Sequence, residues 1–451
     1  MITVYIPNNF VPERTYAVRT LLTHYCGVAV DIIIKEGSTD YELRWQDKCI
    51  IIKDGFFGNI SEGQSYQDHS RLPKAALAAT TPGLEGIVML YGEEKFSATP
   101  DQVVCHVDLF AGAFFLLTRW EEALETKLDL HHRFPGSEAI VVKSGFILRP
   151  IVDEYIALLR HWILVLSGVE ALAIGYTLPV PSNSFKLVLS CDVDMPYYWR
   201  SKPLWKSLGG RWLQHRNLGE SIRDYKSYQA VSRGEARDPF DTFEYLMNLA
   251  EKHDTRFQFN FIGGGQTKFE GTYKINDPKI TALIKQMQTR GHAIGLHPSY
   301  DAYKDAAMMV NEKHAVEQVS GITISASRQH YLRFSVPETW RHLAASGITT
   351  DSTMGYAGEP GFRCGTCKPF PVFDIERRET LNLLEQPLLI MDVSFRMYKK
   401  FNIAESIALG QTIKSEVQKH GGELVVLWHN SSLSEVDGWN GWNQVLESLM
   451  A

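Results

Sequence analysis

The stretch that most constrains this chain runs from Lys186 to Pro196, KLVLSCDVDMP. Leu187, Val188 and Leu189 form a short apolar run after the turn-prone Pro181-Ser182-Asn183-Ser184, which is the pattern of a buried strand. The run ends in Cys191, Asp192, Val193 and Asp194, and Met195-Pro196 then turns the chain. Strand alternation puts Asp192 and Asp194 on one side. Two carboxylates that close, at the end of a buried strand, need a cation or a shared proton. A metal or acid–base site is one reading. A strand-end Asp capping the next helix, beside one solvated Asp, is the other.

The residues that follow repeat one grammar. Phe243 to Lys252 reads as a helix, Phe257 to Ile262 as a strand, Ile280 to Arg290 as a helix and Gly291 to His297 as a strand. Further strand segments read at Ile348–Thr350, Leu388–Ile390 and Glu423–Leu427. Repeated strand–helix units predict a parallel sheet or an α/β barrel, where chemistry collects at the carboxyl ends of strands. The polar residues at those ends are Asp192, Asp194, His297, Arg328, His330 and His429. His429 alone could be a satisfied core histidine, and His292, at the start of its strand, reads as structural. Together the set supplies carboxylates, imidazoles and one guanidinium. The glycine triplet Gly263-Gly264-Gly265 lacks the spacing of a phosphate loop and is assigned no phosphate role.

The N-terminal part reads differently. Ile2–Ile6, Val28–Lys35 and Tyr41–Lys53 are β-rich. Asp108–Leu124 reads as one largely buried helix and Ile151–Ser167 as a second. His131 and His132 are adjacent, so on a strand they would face opposite ways, and a loop pair is the better reading. Pro179–Ser184 is a Pro/Ser-rich connector. It divides the chain into residues 1–178, a smaller α/β domain without a catalytic set, and residues 185–451. Trp199 to Arg237 reads as an irregular helical excursion.

Size and charge exclude some classes. A chain of 451 residues has room for two or three domains. Its net charge of −6 gives a nucleic-acid partner no support. The longest apolar runs, Leu109–Leu117 and Ile156–Leu166, are too short or too polar for a membrane span. The N-terminus reads as a strand with no secretory leader, and the six scattered cysteines fit a reducing, cytoplasmic setting. Cys364 and Cys367 form a single C-x-x-C pair and read as incidental loop cysteines.

On these residues, the C-terminal part resembles the polysaccharide deacetylase family, carbohydrate esterase family four, in motif order over residues 186–451. The resemblance implies a distorted (β/α) barrel, here preceded by the α/β N-terminal domain. It implies a divalent metal, commonly zinc, and removal of acetyl groups from an N- or O-acetylated sugar or polysaccharide. The family's T-F-D-D-G motif looks like Ser190-Cys-Asp-Val-Asp194. That implies Asp192 as general base and Asp194 as a metal ligand offset by one residue, because Val193 fills the second-Asp column. Gly291-His-Ala-Ile-Gly-Leu-His297 is similar to G-H-E-I-G-x-H and implies His297 as a ligand. The family's second histidine, four residues on, is Asp301 here. Arg328-Gln-His-Tyr331 looks like R-x-P-Y, which implies that Arg328 orients the base and Tyr331 contacts substrate. His330 stands where the family has Pro, and it or Asp301 takes the place of the missing histidine. Leu427-Trp-His429 matches L-x-H, implying His429 as general acid with Trp428 at the substrate.

The segments GLHPSY, SRQHYLRF, DSTMGYA, GFRCGT and DLFAGAFFLLTRWEE resemble one branch whose N-terminal domain has no assigned function. The expected partner is an acetylated carbohydrate. Two rivals share the motifs. One is a catalytically degenerate sugar-binding relative, favoured by the altered Asp and the missing His. The other is a deformylase or amidase acting on a linked sugar.

Overall fold

The apolar run at Leu187 becomes the Lys186–Val193 strand in a computed structural model that describes residues 1–168, 185–201, 218–265, 267–270 and 272–451. The connector Pro179–Ser184 lies outside the described residues, as does the middle of the Trp199–Arg237 excursion. The flanks of that excursion are helical, Tyr198–Ser201 and Leu218–Ser232. Among the described residues, no helix is long and apolar enough to cross a membrane.

The chain is mixed α/β and divides into two compact units. One comprises Leu187–Tyr331, Met391–Gln411 and Val425–Ala451. Within it the Lys186–Val193 strand pairs in parallel with Phe257–Phe261, which pairs in parallel with Ala293–Leu296, which pairs in parallel with Ala326–Ser327. Glu423–Leu427 flanks the first strand on its other side. Leu189, Cys191 and Val193 are buried, as are Phe257, Phe259 and Phe261. Such near-continuous apolar strands are what a parallel sheet with covered faces requires. The described pairings leave this row open, and the barrel remains a proposal.

Its helices follow from spacing and caps. Pro278 opens the Pro278–Thr289 helix, and the Asp277 side chain accepts from Lys279 N at its start. Ile280, Leu283, Ile284 and Met287 fall on one face and are buried. Full burial of such side chains contributes roughly 1.5–3 kcal/mol each. The Phe243–Lys252 helix and the Glu423–Leu427 strand have the bounds that the sequence predicts. The Ala306–Ser320 helix is an addition to the sequence reading.

The other unit comprises Met1–Lys186, Leu332–Ile390 and Thr412–Leu424. Its six-stranded sheet runs in the order Val30–Ile34, Ile2–Ile6, Tyr41–Trp45, Lys48–Ile52, Gln102–Val107, Gly92–Ala98. The expected single helix over Asp108–Leu124 is two, Leu109–Thr118 and Trp120–Leu124, with Arg119 between them at φ 53°. A left-handed non-glycine residue costs roughly 1–3 kcal/mol and persists only where its surroundings fix it. Here the buried Arg119 guanidinium pairs with both Glu121 and Glu122, the latter at 2.9 Å. Glu122 also pairs with buried Arg363, and Asp153 with Lys368. These pairs bind late segments of the chain to early ones. Cys364 and Cys367 are buried free thiols, and burial pushes both well above the usual thiol range.

Candidate metal and acid–base site

The parallel register aligns Asp192 with Asn260, and Asn260 with Gly295, so the strand ends meet at one level. Asp192 is 2 % exposed. Its Oδ1 accepts from Asn260 Nδ2 at 2.7 Å and from Arg328 Nη1 at 3.3 Å. Arg328 Nη1 also donates to Ser190 Oγ at 2.6 Å. The carboxylate is therefore held from two sides in one rotamer, with Oδ2 turned toward His297.

His297 is buried, and its Nδ1 lies 2.6 Å from the Arg328 carbonyl oxygen. A carbonyl only accepts, so Nδ1 carries a proton, and in the neutral imidazole the lone pair is on Nε2. That Nε2 sits 3.2 Å from Asp194 Oδ1. His330 repeats the arrangement. Its Nδ1 faces Glu270 Oε1 at 3.4 Å, and its Nε2 lies 3.5 Å from the same Asp194 Oδ1. Asp194, His297 and His330 present ligand atoms all within 4.8 Å of one another. Asp301 is exposed and lies outside this group.

The donor set fits a metal. Asp194 Oδ1 is buried with no hydrogen-bond partner of proper geometry. Buried polar atoms are rarely left so. Donors bound about 2.1 Å from a tetrahedral zinc stand about 3.4 Å apart, and both imidazole nitrogens stand at about that distance from Asp194 Oδ1. The charge balance agrees. Arg328 pairs with Asp192, while Asp194, Glu270 and the buried Asp392 face the imidazoles of His297, His330 and His429. Burial alone would raise Asp194, yet His330 and then His297 and His429 hold it well below the usual carboxylate range. Burial would likewise lower His297, but Asp192 and Asp194 raise it. The pocket favours positive charge.

His429 closes the site. Its Nε2 is 3.7 Å from Asp194 Oδ2. Its Nδ1 lies 2.8 Å from Asp392 Oδ1, and its backbone N–H donates to Asp392 Oδ2 at 2.8 Å. Burial would lower the imidazole, but Asp392, with Asp194 and Asp192 behind it, raises it to about 10. His429 thus holds its proton.

Tyr331 adopts φ 60°, and its ring lies 4.7 Å from His330 and 5.1 Å from Phe269. Trp428 is 0 % exposed, so in this structure it offers no face to a substrate. His292 is structural. Its Nδ1 accepts from Phe257 N at 3.1 Å, and Nε2 meets Glu251.

Sequence reasoning missed Asn260, Glu270 and Asp392. Asn260 was legible, since it occupies the Phe257–Ile262 strand beside Asp192. Asp392 follows the Leu388–Ile390 segment, and its place at a strand end was a usable signal. Glu270 sits in a loop and gave none.

Comparison with known proteins adds the following. The family described as a family of unknown function, DUF7033, matches residues 2–167. No curated protein matches the chain. Part of the chain is similar in fold to a probable polysaccharide deacetylase from Pseudomonas aeruginosa, with 13% identity, 62% of this chain and 90% of that one covered, and a TM-score of 0.39. It is also similar to a polysaccharide deacetylase from Bacillus cereus, at 14% identity over 58% of this chain and 86% of that one, TM-score 0.28. A third likeness is to a carbohydrate esterase family 4 pseudoenzyme from Bacillus anthracis, at 9% identity, covering 59% and 61%, TM-score 0.28.

Proposed function

We propose that this chain is a metal-dependent hydrolase that removes acetyl groups from an N- or O-acetylated sugar or polysaccharide. The observation that carries the proposal is the convergence of His297 Nε2 and His330 Nε2 on the orphaned Asp194 Oδ1, between an anchored carboxylate and an anchored imidazole. Asp194, His297 and His330 would hold the ion, with zinc the proposed identity. The cluster favours His330 over Asp301 as the third ligand. Two imidazoles and a carboxylate leave a fourth position open. A divalent ion held there supplies Lewis-acid polarisation of the acyl carbonyl.

The chain's own residues do the rest. Asp192 takes a proton from the attacking water, and Asn260 and Arg328 hold its carboxylate for that step. His429, oriented by Asp392, gives a proton to the departing amine or alcohol. Tyr331 lines the same site and is the proposed substrate contact. The division into 1–178 and 185–451 is also a proposal, supported by the family match over 2–167. In the folded chain, residues 332–390 complete the unit that the first part begins.

The test is acetate release from acetylated glucosamine oligomers and from acetyl esters, with metal content measured on the same sample. A full metal complement and acetate release are expected. A protein that binds acetylated oligomers and releases no acetate would instead be the sugar-binding relative. Release of formate from a formylated sugar would move the activity to the deformylase reading.

A further inference from the structure

The glycine triplet and the carboxylate five residues beyond it belong to one device. Gly263 passes so close to the Ala306–Ser320 helix that a Cβ there would stand 2.2 Å from the Glu312 carbonyl oxygen. Gly265 adopts φ +90°, and a Cβ there would stand 2.7 Å from Ser299 Cβ and 2.9 Å from Glu270 Cγ. Only glycine permits both the approach and the dihedral. The space Gly265 leaves is filled in part by Glu270, whose side chain is 0% exposed and stands against His330.

Glu270 is saturated with donors. Oε2 accepts from Thr267 N at 3.0 Å and from Thr267 Oγ1, and Oε1 accepts from Tyr300 N while facing His330 Nδ1 at 3.4 Å. Every one of these donors favours the carboxylate over the carboxylic acid. An ionised carboxylate behind an imidazole fixes the Nδ1–H tautomer, aims Nε2 and raises its basicity as a ligand.

We infer that Glu270, seated by the close passage of Gly265, is a positioning residue that makes His330 a metal ligand. The inference rests on the proposed metal site and adds to it. His330 alone, in the wrong tautomer, would offer Asp194 an N–H and no lone pair.

The test uses the full chain, stripped of metal and titrated with Zn²⁺ and with Co²⁺, whose absorption spectrum reports ligand geometry. The parent is expected to bind one equivalent. Glu270→Ala should weaken binding about 10–100-fold and alter the Co²⁺ spectrum. Glu270→Gln keeps an acceptor for Nδ1–H and should lose less. Gly265→Ala should shift the loop and weaken binding as well. Melting of the metal-free proteins separates a structural role. If Glu270→Ala melts lower without metal but binds Zn²⁺ with parental affinity and spectrum, Glu270 only holds the loop and the inference is overturned. If the parent itself binds no metal, the site reading fails first. Parental binding with loss in His297→Ala but none in Glu270→Ala overturns the inference and spares the site.

Discussion

Each of the two units buries charge, but they resolve it differently. Around Arg119 the charges balance. Glu121 and Glu122 face Arg119 and Arg363, all four essentially buried, and Tyr356 packs its ring 4.7 Å from the Arg363 guanidinium. Around Asp194 one guanidinium serves only Asp192, and among the described residues four carboxylates otherwise face three imidazoles, so the charge is settled only by protonating those imidazoles or by a bound cation. A balanced buried cluster is a structural solution whose desolvation cost is offset by pairing and hydrogen bonds. An unbalanced one needs an outside charge, and that need is the signature of a functional site. The unit that contains Arg119 also holds an unbalanced pair, Asp351 and Glu385. Burial and then Asp351 push Glu385 well above the carboxylate range, so a proton settles that pair. The Asp194 cluster instead gathers two imidazole nitrogens on one carboxylate oxygen, which suits a metal.

The largest effect should come from cutting the balanced clusters apart. A fragment of residues 185–451 loses Glu13, Glu122 and Asp153 together, leaving Arg378, Arg363 and Lys368 without their partners. We expect no cooperative melting transition from it, and recovery of one when residues 1–178 are co-expressed. Calorimetry checks this. A cooperative transition from 185–451 alone would make the linear division a folding division as well.

Next is Asp192→Asn. Asparagine keeps the shape but cannot take a proton from water. Hydrolysis should fall about 10²–10⁴-fold. Metal content should stay near parental, because Asp192 lies behind the ligand group. Full activity in this variant would remove Asp192 from the mechanism and leave the imbalance around Asp194 without a base.

Arg363→Met breaks the balanced side with a single change. It strips Glu122 of one cation and removes the donor to the Gly355 carbonyl at 2.9 Å. Removing one partner of a buried pair costs about 3–5 kcal/mol. Denaturant melts should show that loss, with metal content per folded molecule unchanged. A loss of under about 1 kcal/mol would place this pair with exposed ion pairs and weaken the contrast drawn above.

The sequence displayed one side of this contrast far better than the other. Strand ends are legible because an apolar run that stops at Asp192 or His429 leaves the polar residue in a known place. Alternation paired Asp192 with Asp194 before any coordinates. The Arg119 cluster was hidden, since its left-handed break lies inside a run that reads as one buried helix, and its partner Arg363 is remote in the chain. Glu270 was hidden for a related reason. Gly265 passes against it, and a glycine triplet without motif spacing does not say what it approaches. Tertiary closeness decided both, and periodicity carries no record of it. Trp428 shows the converse limit. Its neighbour His429 faces the site, while Trp428, just past the end of the Glu423–Leu427 strand, is buried.

The smallest effect expected is that of Asp392→Asn, and it tests the last member of the unbalanced set. Asp392 is fully buried; its Oδ1 faces His429 Nδ1 and also accepts from Val393 N at 2.7 Å, and its Oδ2 accepts from His429 N. Asparagine retains one acceptor and replaces the other with a donor, so at least one of these contacts is lost and the charge behind the imidazole goes with it. A hydrogen bond to a charged group contributes about 1.5–3 kcal/mol, which converts to a loss of about ten- to a hundredfold in kcat. KM and metal content should hardly move, because neither Asp392 nor His429 is in the ligand group. A rate per folded molecule equal to the parent's would mean that His429 does not serve as the acid, and that Asp392 balances its charge only as Glu122 does in the other unit.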